Sequence, residues 1–177
     1  MNRMHTDHTL REALYGLYAA LFEAHKKTPS DFHNGRLTTI MTGIMGVENL
    51  GWRVVGITRE ALEILAANEF KLPSRTLCRG HITDRSATAR KLFDGATPLP
   101  LDEFFDLFLH ADRTVIMTND QNKVKGTFPE YIEIDNPKAE LFSNGSMMGW
   151  KHRKKEREFL RELHESQMAT QGRTLIR

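Results

Sequence analysis

Hydrophobic positions along the chain recur mostly at helical spacing. Between Thr9 and Lys27 the apolar residues lie three and four apart, and they include Leu10, Leu14, Leu17, Tyr18, Leu21 and Phe22. This spacing predicts an amphipathic helix. Thr9 and Glu12 form a capping-box pattern at its start. Similar patterns predict further helices over Thr38–Val47, Thr58–Ala67, Asp84–Asp94 and Pro100–Leu109.

Shorter apolar segments predict strands between some of these helices. Residues Thr76–Ile82 and Arg113–Thr118 indicate two strands, Tyr131–Ile134 alternates as a third, and residues 51–57 are either a strand or an extended connector. After a loop, Met147–Gln167 is typical of a long basic helix with an interrupted apolar stripe. The sequence therefore predicts a mostly helical α+β fold, in which a small central β-hairpin carries a helical insert.

The length of 177 residues suits one sizeable core, so we expect one compact domain overall. Within it the pattern predicts a helical region to residue 72, a central β unit over 73–135, and a loop and basic helix over 136–177. We find no internal repeat or linker that would divide the chain further.

The net charge of +2 does not by itself require a polyanionic partner, but the distribution of charge is uneven. The basic cluster consists of Lys151, Arg153, Lys154, Lys155 and Arg157, and no acidic residue occurs between residues 151 and 155. If all five side chains lie on the predicted helix, their charge covers more than half of its circumference, which suits phosphate contacts better than base readout. A solvated helix whose cations pair with nearby glutamates is the structural alternative.

Cysteine content and hydropathy indicate where the protein works. The single cysteine, Cys78, excludes an intramolecular disulfide and fits a reducing compartment. No apolar run approaches the roughly 20 residues that a membrane-spanning helix needs. We therefore expect a cytoplasmic protein without a membrane partner.

A candidate catalytic group stands at the end of the first central strand. His81 follows Arg79 and precedes Arg85. A histidine can act as general base for a water that attacks a phosphodiester when another group fixes its tautomer, and Asp112 or Asn119 is the candidate for that role. Arg79 and Arg85 suit a scissile phosphate, because guanidinium groups bind phosphate through paired hydrogen bonds.

Oxygen donors for a divalent metal are present on either side of the second central strand. Asp84, Asn119 and Asn122 are candidate ligands, and oxygen ligands favour a hard cation such as magnesium, with manganese as the substitute. These amide and carboxylate groups have a second interpretation as helix caps and turn residues. The chain lacks Gly-x-Ser-x-Gly, Gly-x-Gly-x-x-Gly and a phosphate-binding loop, so serine hydrolysis and nucleotide binding find no support.

The segments Gly80–Arg85 and Thr114–Asn122 together resemble the HNH, or ββα-metal, endonucleases, which cut DNA with one divalent metal. The likeness lies in a strand that ends in histidine, an insert, and a strand that passes into a short polar helix. It implies that His81 is the base and that Asp112 and either Asn119 or Asn122 stand where the family has asparagine and histidine. Gly80 occupies a position where many members carry a metal ligand.

Two functions follow as expectations. The first is metal-dependent hydrolysis of DNA, with RNA as a second substrate class and a homodimer as the form that would cut both strands. The alternative is a nucleic-acid-binding protein without catalysis, which would bind DNA or RNA through its basic C-terminal helix.

Overall fold

The computed structural model describes residues 7–46, 51–73, 75–124, 126–145 and 149–174, with the backbone alone for 171–174. This part of the chain contains seven helices and four strands. In chain order they are α1 (His8–Lys27), α2 (Asn34–Met45), β1 (Arg53–Ile57), α3 (Arg59–Ala67), β2 (Leu77–His81), α4 (Arg85–Phe93), α5 (Leu101–Ala111), β3 (Arg113–Thr118), α6 (Asn119–Lys123), β4 (Ile132–Glu133) and α7 (Lys154–Thr174). The predicted α+β class is confirmed.

The chain forms two compact units, each assembled from three segments. The first comprises residues 1–53, 81–113 and 137–139, and the second comprises residues 54–80, 114–136 and 140–177. Each unit draws on residues from both sides of position 72, where the sequence pattern places its first boundary.

The first unit is a helical assembly of α1, α2, α4 and α5 around an aromatic core. The ring of Tyr18 stacks on that of Phe104 with centroids 4.3 Å apart, and its hydroxyl donates a hydrogen bond to the carbonyl oxygen of Leu92 at 2.7 Å. The same hydroxyl accepts from the amide of Leu99 at 3.1 Å. Tyr18 therefore joins α1 to the end of α4 and to the segment before α5.

The second unit contains the sheet, whose strand order is β2-β3-β1-β4. β1 and β4 are antiparallel, with Gly56 opposite Glu133. A side chain at Gly56 would clash with the ring of Tyr131, since a Cβ there would lie 2.2 Å from that ring. Helices α3 and α7 pack together, and the buried core of this unit includes Leu62, Ile116 and Leu160.

Several element boundaries differ from those that the sequence predicts. Helix α1 begins at His8 because the side chain of Asp7, and not Thr9, accepts the hydrogen bond of the Leu10 amide at 3.0 Å. Helix α2 begins at Asn34 and ends at Met45, while Val47 lies outside the described residues. The uncertain segment 51–57 is β1 from Arg53 onward.

The largest correction concerns the basic helix, which begins at Lys154 and not at Met147. Met147 lies outside the described residues, but Trp150 pairs with Asn144 in an isolated β-bridge and residues 151–153 are not helical. The fully buried carboxylate of Glu156 accepts hydrogen bonds from the amides of Arg153 at 2.9 Å and Phe142 at 3.3 Å. These bonds cap the helix and fix its start. No helix in the described ranges combines the length and the apolar character that crossing a bilayer requires.

Candidate active site

The structure pairs His81 with Asp112 in the first unit. His81 is the last residue of β2, and Asp112 caps the C-terminus of α5. The imidazole Nε2 and the carboxylate Oδ1 are 2.9 Å apart, and the two side chains are only 9% and 8% exposed. An ionised carboxylate can only accept a hydrogen bond, so in a neutral imidazole this contact places the proton on Nε2 and the lone pair on Nδ1.

A backbone amide holds the other oxygen of the Asp112 carboxylate. Oδ2 accepts a hydrogen bond from the Trp52 amide at 2.7 Å. The preceding residue, Gly51, lies beside this oxygen, since a Cβ there would be in van der Waals contact with Oδ2 at 3.4 Å. With one oxygen on His81 and the other on Trp52, the carboxylate has a fixed orientation.

The indole ring of Trp52 lies edge-on to His81, with the ring centroids 4.4 Å apart and the planes at 76°. Its Nε1 donates a hydrogen bond to the Thr42 hydroxyl at 3.3 Å. Trp52 is almost fully buried and has a positive φ of 62°, which is uncommon for a bulky residue. Thus a single residue contacts both members of the pair.

Arg85 lies beside this pair with its guanidinium over the Trp52 ring, 5.1 Å from the ring centroid. Its Nη2 donates hydrogen bonds to the Thr38 carbonyl at 2.8 Å and the Thr42 hydroxyl at 2.9 Å. Within the described ranges, Nη1 and Nε have no hydrogen-bond partner. Burial lowers the pKa of Arg85 and the charge of Asp112 raises it, but a guanidinium keeps its charge in a protein.

His81, Arg85 and Asp112 line one small cleft. Thr38 and Thr42 add polar groups, and the apolar part of its wall includes Met41, Leu92 and Phe108. The cleft has a volume of about 20 Å³, which is enough for a water molecule but not for a nucleobase. A phosphate group could therefore approach this site only from its mouth.

The other predicted phosphate ligand, Arg79, belongs to the second unit and does not line the cleft. This buried side chain donates from Nη1 to the Asn144 side chain at 2.9 Å and from Nη2 to the Gly149 carbonyl at 2.7 Å. Its guanidinium thus binds two residues at or beside the Asn144–Trp150 β-bridge. Of the two predicted arginines, only Arg85 is brought to His81.

Each predicted metal ligand takes part in a hydrogen bond or a packing contact within the fold. Asp84 caps α4 through a 2.7 Å hydrogen bond from the Ala87 amide, and the side-chain Nδ2 of Asn119 donates to the Arg75 carbonyl at 2.6 Å. Asn122 packs against Gly80, where an added Cβ would lie 2.8 Å from its Oδ1. Across the described ranges, no three His, Cys, Asp or Glu residues are grouped as metal ligands. The donor set does not match an assembled magnesium site, so magnesium stays a prediction from the sequence and no chemical step is derived through it.

The basic cluster lies in the second unit and is mostly exposed. Only Lys154, Lys155 and Arg157 are on α7, so the expectation of charge around one helix is wrong for Lys151 and Arg153, which precede it. Lys154 lies 3.5 Å from Glu158, and Lys155 donates to the Glu140 carbonyl. Neither Lys151 nor Arg153 forms an ion pair with any residue that the structure describes.

Sequence reasoning missed Thr42, which lines the cleft, and Trp52, which contacts His81, Asp112 and Arg85. Trp52 meets Asp112 across 60 positions of sequence, and Thr42 meets Arg85 across 43. No short motif joins residues so far apart.

Comparison with known proteins identifies no relative of this chain. No protein-family model, curated protein or solved structure matches this chain. Assignment of a function therefore depends on the chemistry of the cleft together with the sequence resemblance.

Proposed function

We propose that the protein hydrolyses phosphodiester bonds of nucleic acid with His81 as the general base. The observation that carries this proposal is the largely buried His81–Asp112 pair, 2.9 Å apart, in a cleft that Arg85 also lines. A histidine oriented by a carboxylate is one of the arrangements that support general-base catalysis.

The pair supplies the proton transfer of the reaction. As a water attacks phosphorus, Nδ1 of His81 takes its proton, and Asp112 stabilises the imidazolium that forms. The bond from phosphorus to the leaving oxygen breaks, and that oxygen is protonated by the imidazolium or by solvent. A positioned general base contributes on the order of 10²- to 10⁴-fold in rate.

Arg85 supplies charge for the phosphate. Nη2 is held by Thr38 and Thr42, which fixes the plane of the guanidinium and leaves Nη1 and Nε as donors. An arginine fixed in this way binds two phosphate oxygens with little further loss of conformational entropy. A basic Nδ1 and a phosphate-binding guanidinium in one cleft favour phosphodiester hydrolysis over acyl transfer.

The resemblance to HNH endonucleases favours DNA as the substrate, with RNA as the second class. The same resemblance implies magnesium or manganese as the metal, and the cleavage experiment tests that expectation directly. The free thiol of Cys78 fits the reducing cytoplasm, where we expect the enzyme to act.

The test is incubation of purified protein with supercoiled plasmid in magnesium, in manganese and in excess chelator. We expect metal-dependent nicking, and we expect His81→Ala to lower the turnover rate about 100-fold or more with little change in DNA affinity. The matched control is His33→Ala, since His33 is exposed and lies outside the cleft. Cleavage by His81→Ala at the wild-type rate would remove the histidine from the mechanism.

A second candidate is nucleic-acid binding without catalysis, and the exposure of Lys151, Arg153 and Lys154 favours it. The plasmid experiment separates the two candidates. Binding without cleavage in any metal would support the second and contradict the first.

A further inference from the structure

We infer that Trp52 is a positioning residue, which holds the base, the carboxylate and the phosphate-binding arginine in one arrangement without touching the substrate. This inference rests on the proposed function, because it assigns Trp52 a role in that reaction. Trp52 is 6% exposed, which leaves no ring face for stacking on a nucleobase.

The first contact is made by the backbone. The Trp52 amide donates to Asp112 Oδ2 at 2.7 Å, so the carboxylate can present only Oδ1 to His81. The amide points in this direction because the residue has a φ of 62°. For a large side chain this conformation is costly unless surrounding contacts maintain it.

The second set of contacts is made by the ring. One side of the indole meets His81 edge-on at 4.4 Å and restricts rotation of the imidazole. Arg85 lies over the ring at 5.1 Å, in the range of cation–π attraction. Thr42 accepts from the indole Nε1 and also from Arg85 Nη2, so one hydroxyl fixes both side chains.

A residue that contacts all three groups controls their relative placement. Displacement of a catalytic group by about 1 Å can lower the rate by about 100-fold. If Trp52 only filled space, its replacement would lower stability and leave the tautomer of His81 unchanged. If it positions the pair, the replacement changes that tautomer.

The experiment compares Trp52→Leu, which removes the aromatic edge, with Trp52→Phe, which keeps it. The chain supplies a matched control in Trp150→Phe, since Trp150 also neighbours a histidine, His152, at 6.4 Å, but lies in the second unit. Imidazole nitrogen chemical shifts of ¹⁵N-labelled protein report which ring nitrogen of His81 carries the proton. Plasmid cleavage is measured on the same samples across pH.

We expect wild type and Trp150→Phe to hold His81 in the Nε2–H form. Trp52→Leu should populate both tautomers and lower the turnover rate about ten- to 100-fold. Trp52→Phe should keep the tautomer and restore the rate to within about threefold of wild type, because the ring edge and the backbone amide remain. A single Nε2–H form and a wild-type pH profile in Trp52→Leu would overturn the inference.

Thr42→Val serves as a second variant if Trp52→Leu does not fold. It removes the hydroxyl that holds the indole and Arg85, and an unchanged His81 tautomer in this variant would also overturn the inference.

The tautomer measurement does not depend on activity. If His81→Ala still cleaves DNA, the proposed function fails while a tautomer change in Trp52→Leu still supports positioning of the pair. If His81→Ala is inactive but Trp52→Leu keeps the wild-type tautomer and cleavage rate, only the positioning role is contradicted.

Discussion

At the scale of single residues, the chemistry of the cleft depends on which ring nitrogen of His81 is protonated. Asp112 fixes this because its carboxylate accepts from Nε2. The Trp52 amide occupies the second carboxylate oxygen, so Asp112 cannot rotate to offer a different arrangement.

This geometry makes a prediction for Asp112→Asn. An asparagine side chain has one acceptor oxygen and one donor NH₂ group, and the Trp52 amide would donate to the oxygen. Its NH₂ group would then face Nε2 of His81, which must become an acceptor, so the proton moves to Nδ1 and the base is lost. We expect the turnover rate to fall by a factor similar to that for His81→Ala, about 100-fold or more, with the fold retained.

The rate is measured by plasmid cleavage and the tautomer by imidazole nitrogen shifts. Asp106→Asn is the control, because Asp106 is exposed on the same helix. A variant Asp112→Asn that keeps the wild-type rate would show that the carboxylate does not orient a catalytic base.

Sequence alone goes part of the way toward this site. His81, Asp112 and Arg85 are recognisable as candidates because each side chain has an evident chemical role. The choice between Asp112 and Asn119 as the partner of His81 requires the structure, which shows the bond to Asp112. Arg79 has the same chemistry as Arg85 in the sequence, and only its burial with Asn144 and Gly149 distinguishes it.

At the scale of elements, periodicity predicts the type of a segment more securely than its ends. The strand Arg113–Thr118 has the predicted bounds, because its apolar run directly follows a helix cap. The start of α7 could not be predicted, since it depends on the distant Phe142 amide that helps to hold Glu156. Tertiary contacts thus select one cap among several that the sequence offers.

The corrected position of the basic cluster changes which cations should bind phosphate. Lys155 donates to the Glu140 carbonyl, so its side chain has a structural role. Lys151, Arg153 and Lys154 are exposed, and replacing all three by glutamine should weaken binding to all DNA sequences alike. Each phosphate contact contributes about 0.9 to the slope of log affinity against log salt, so we expect that slope to fall by about two to three.

Fluorescence anisotropy with labelled duplexes across a range of salt concentrations gives this slope. The control is the pair Lys26→Gln and Lys27→Gln at the exposed end of α1, which lowers the net charge without altering the cluster. Equal slopes for the triple variant and wild type would show that these side chains do not contact phosphate. That result would also remove the electrostatic support for a nucleic-acid partner.

At the scale of the whole molecule, the chain passes repeatedly between its two units. Half of the buried residues of the first core lie before residue 72, and they include Tyr18, Phe22 and Met41. The other half come later in the sequence, mainly from α4 and α5. Periodicity identifies each of these helices as amphipathic, but it carries no information on which distant helix covers each apolar face.

This interleaving predicts that the fragment 1–72 does not fold cooperatively. It retains α1 and α2 but lacks Phe93, Phe104 and Phe108, which cover the apolar face around Tyr18. An exposed aromatic core of this kind leaves too little buried apolar surface to offset the loss of chain entropy. Urea unfolding followed by circular dichroism should show a gradual change without a defined midpoint.

The fragment 1–113 is the control, because it restores α4 and α5, and we expect it to unfold with a sigmoidal transition. A sigmoidal transition in the fragment 1–72 at the midpoint of the full chain would show that α1 and α2 form a stable core without the later helices.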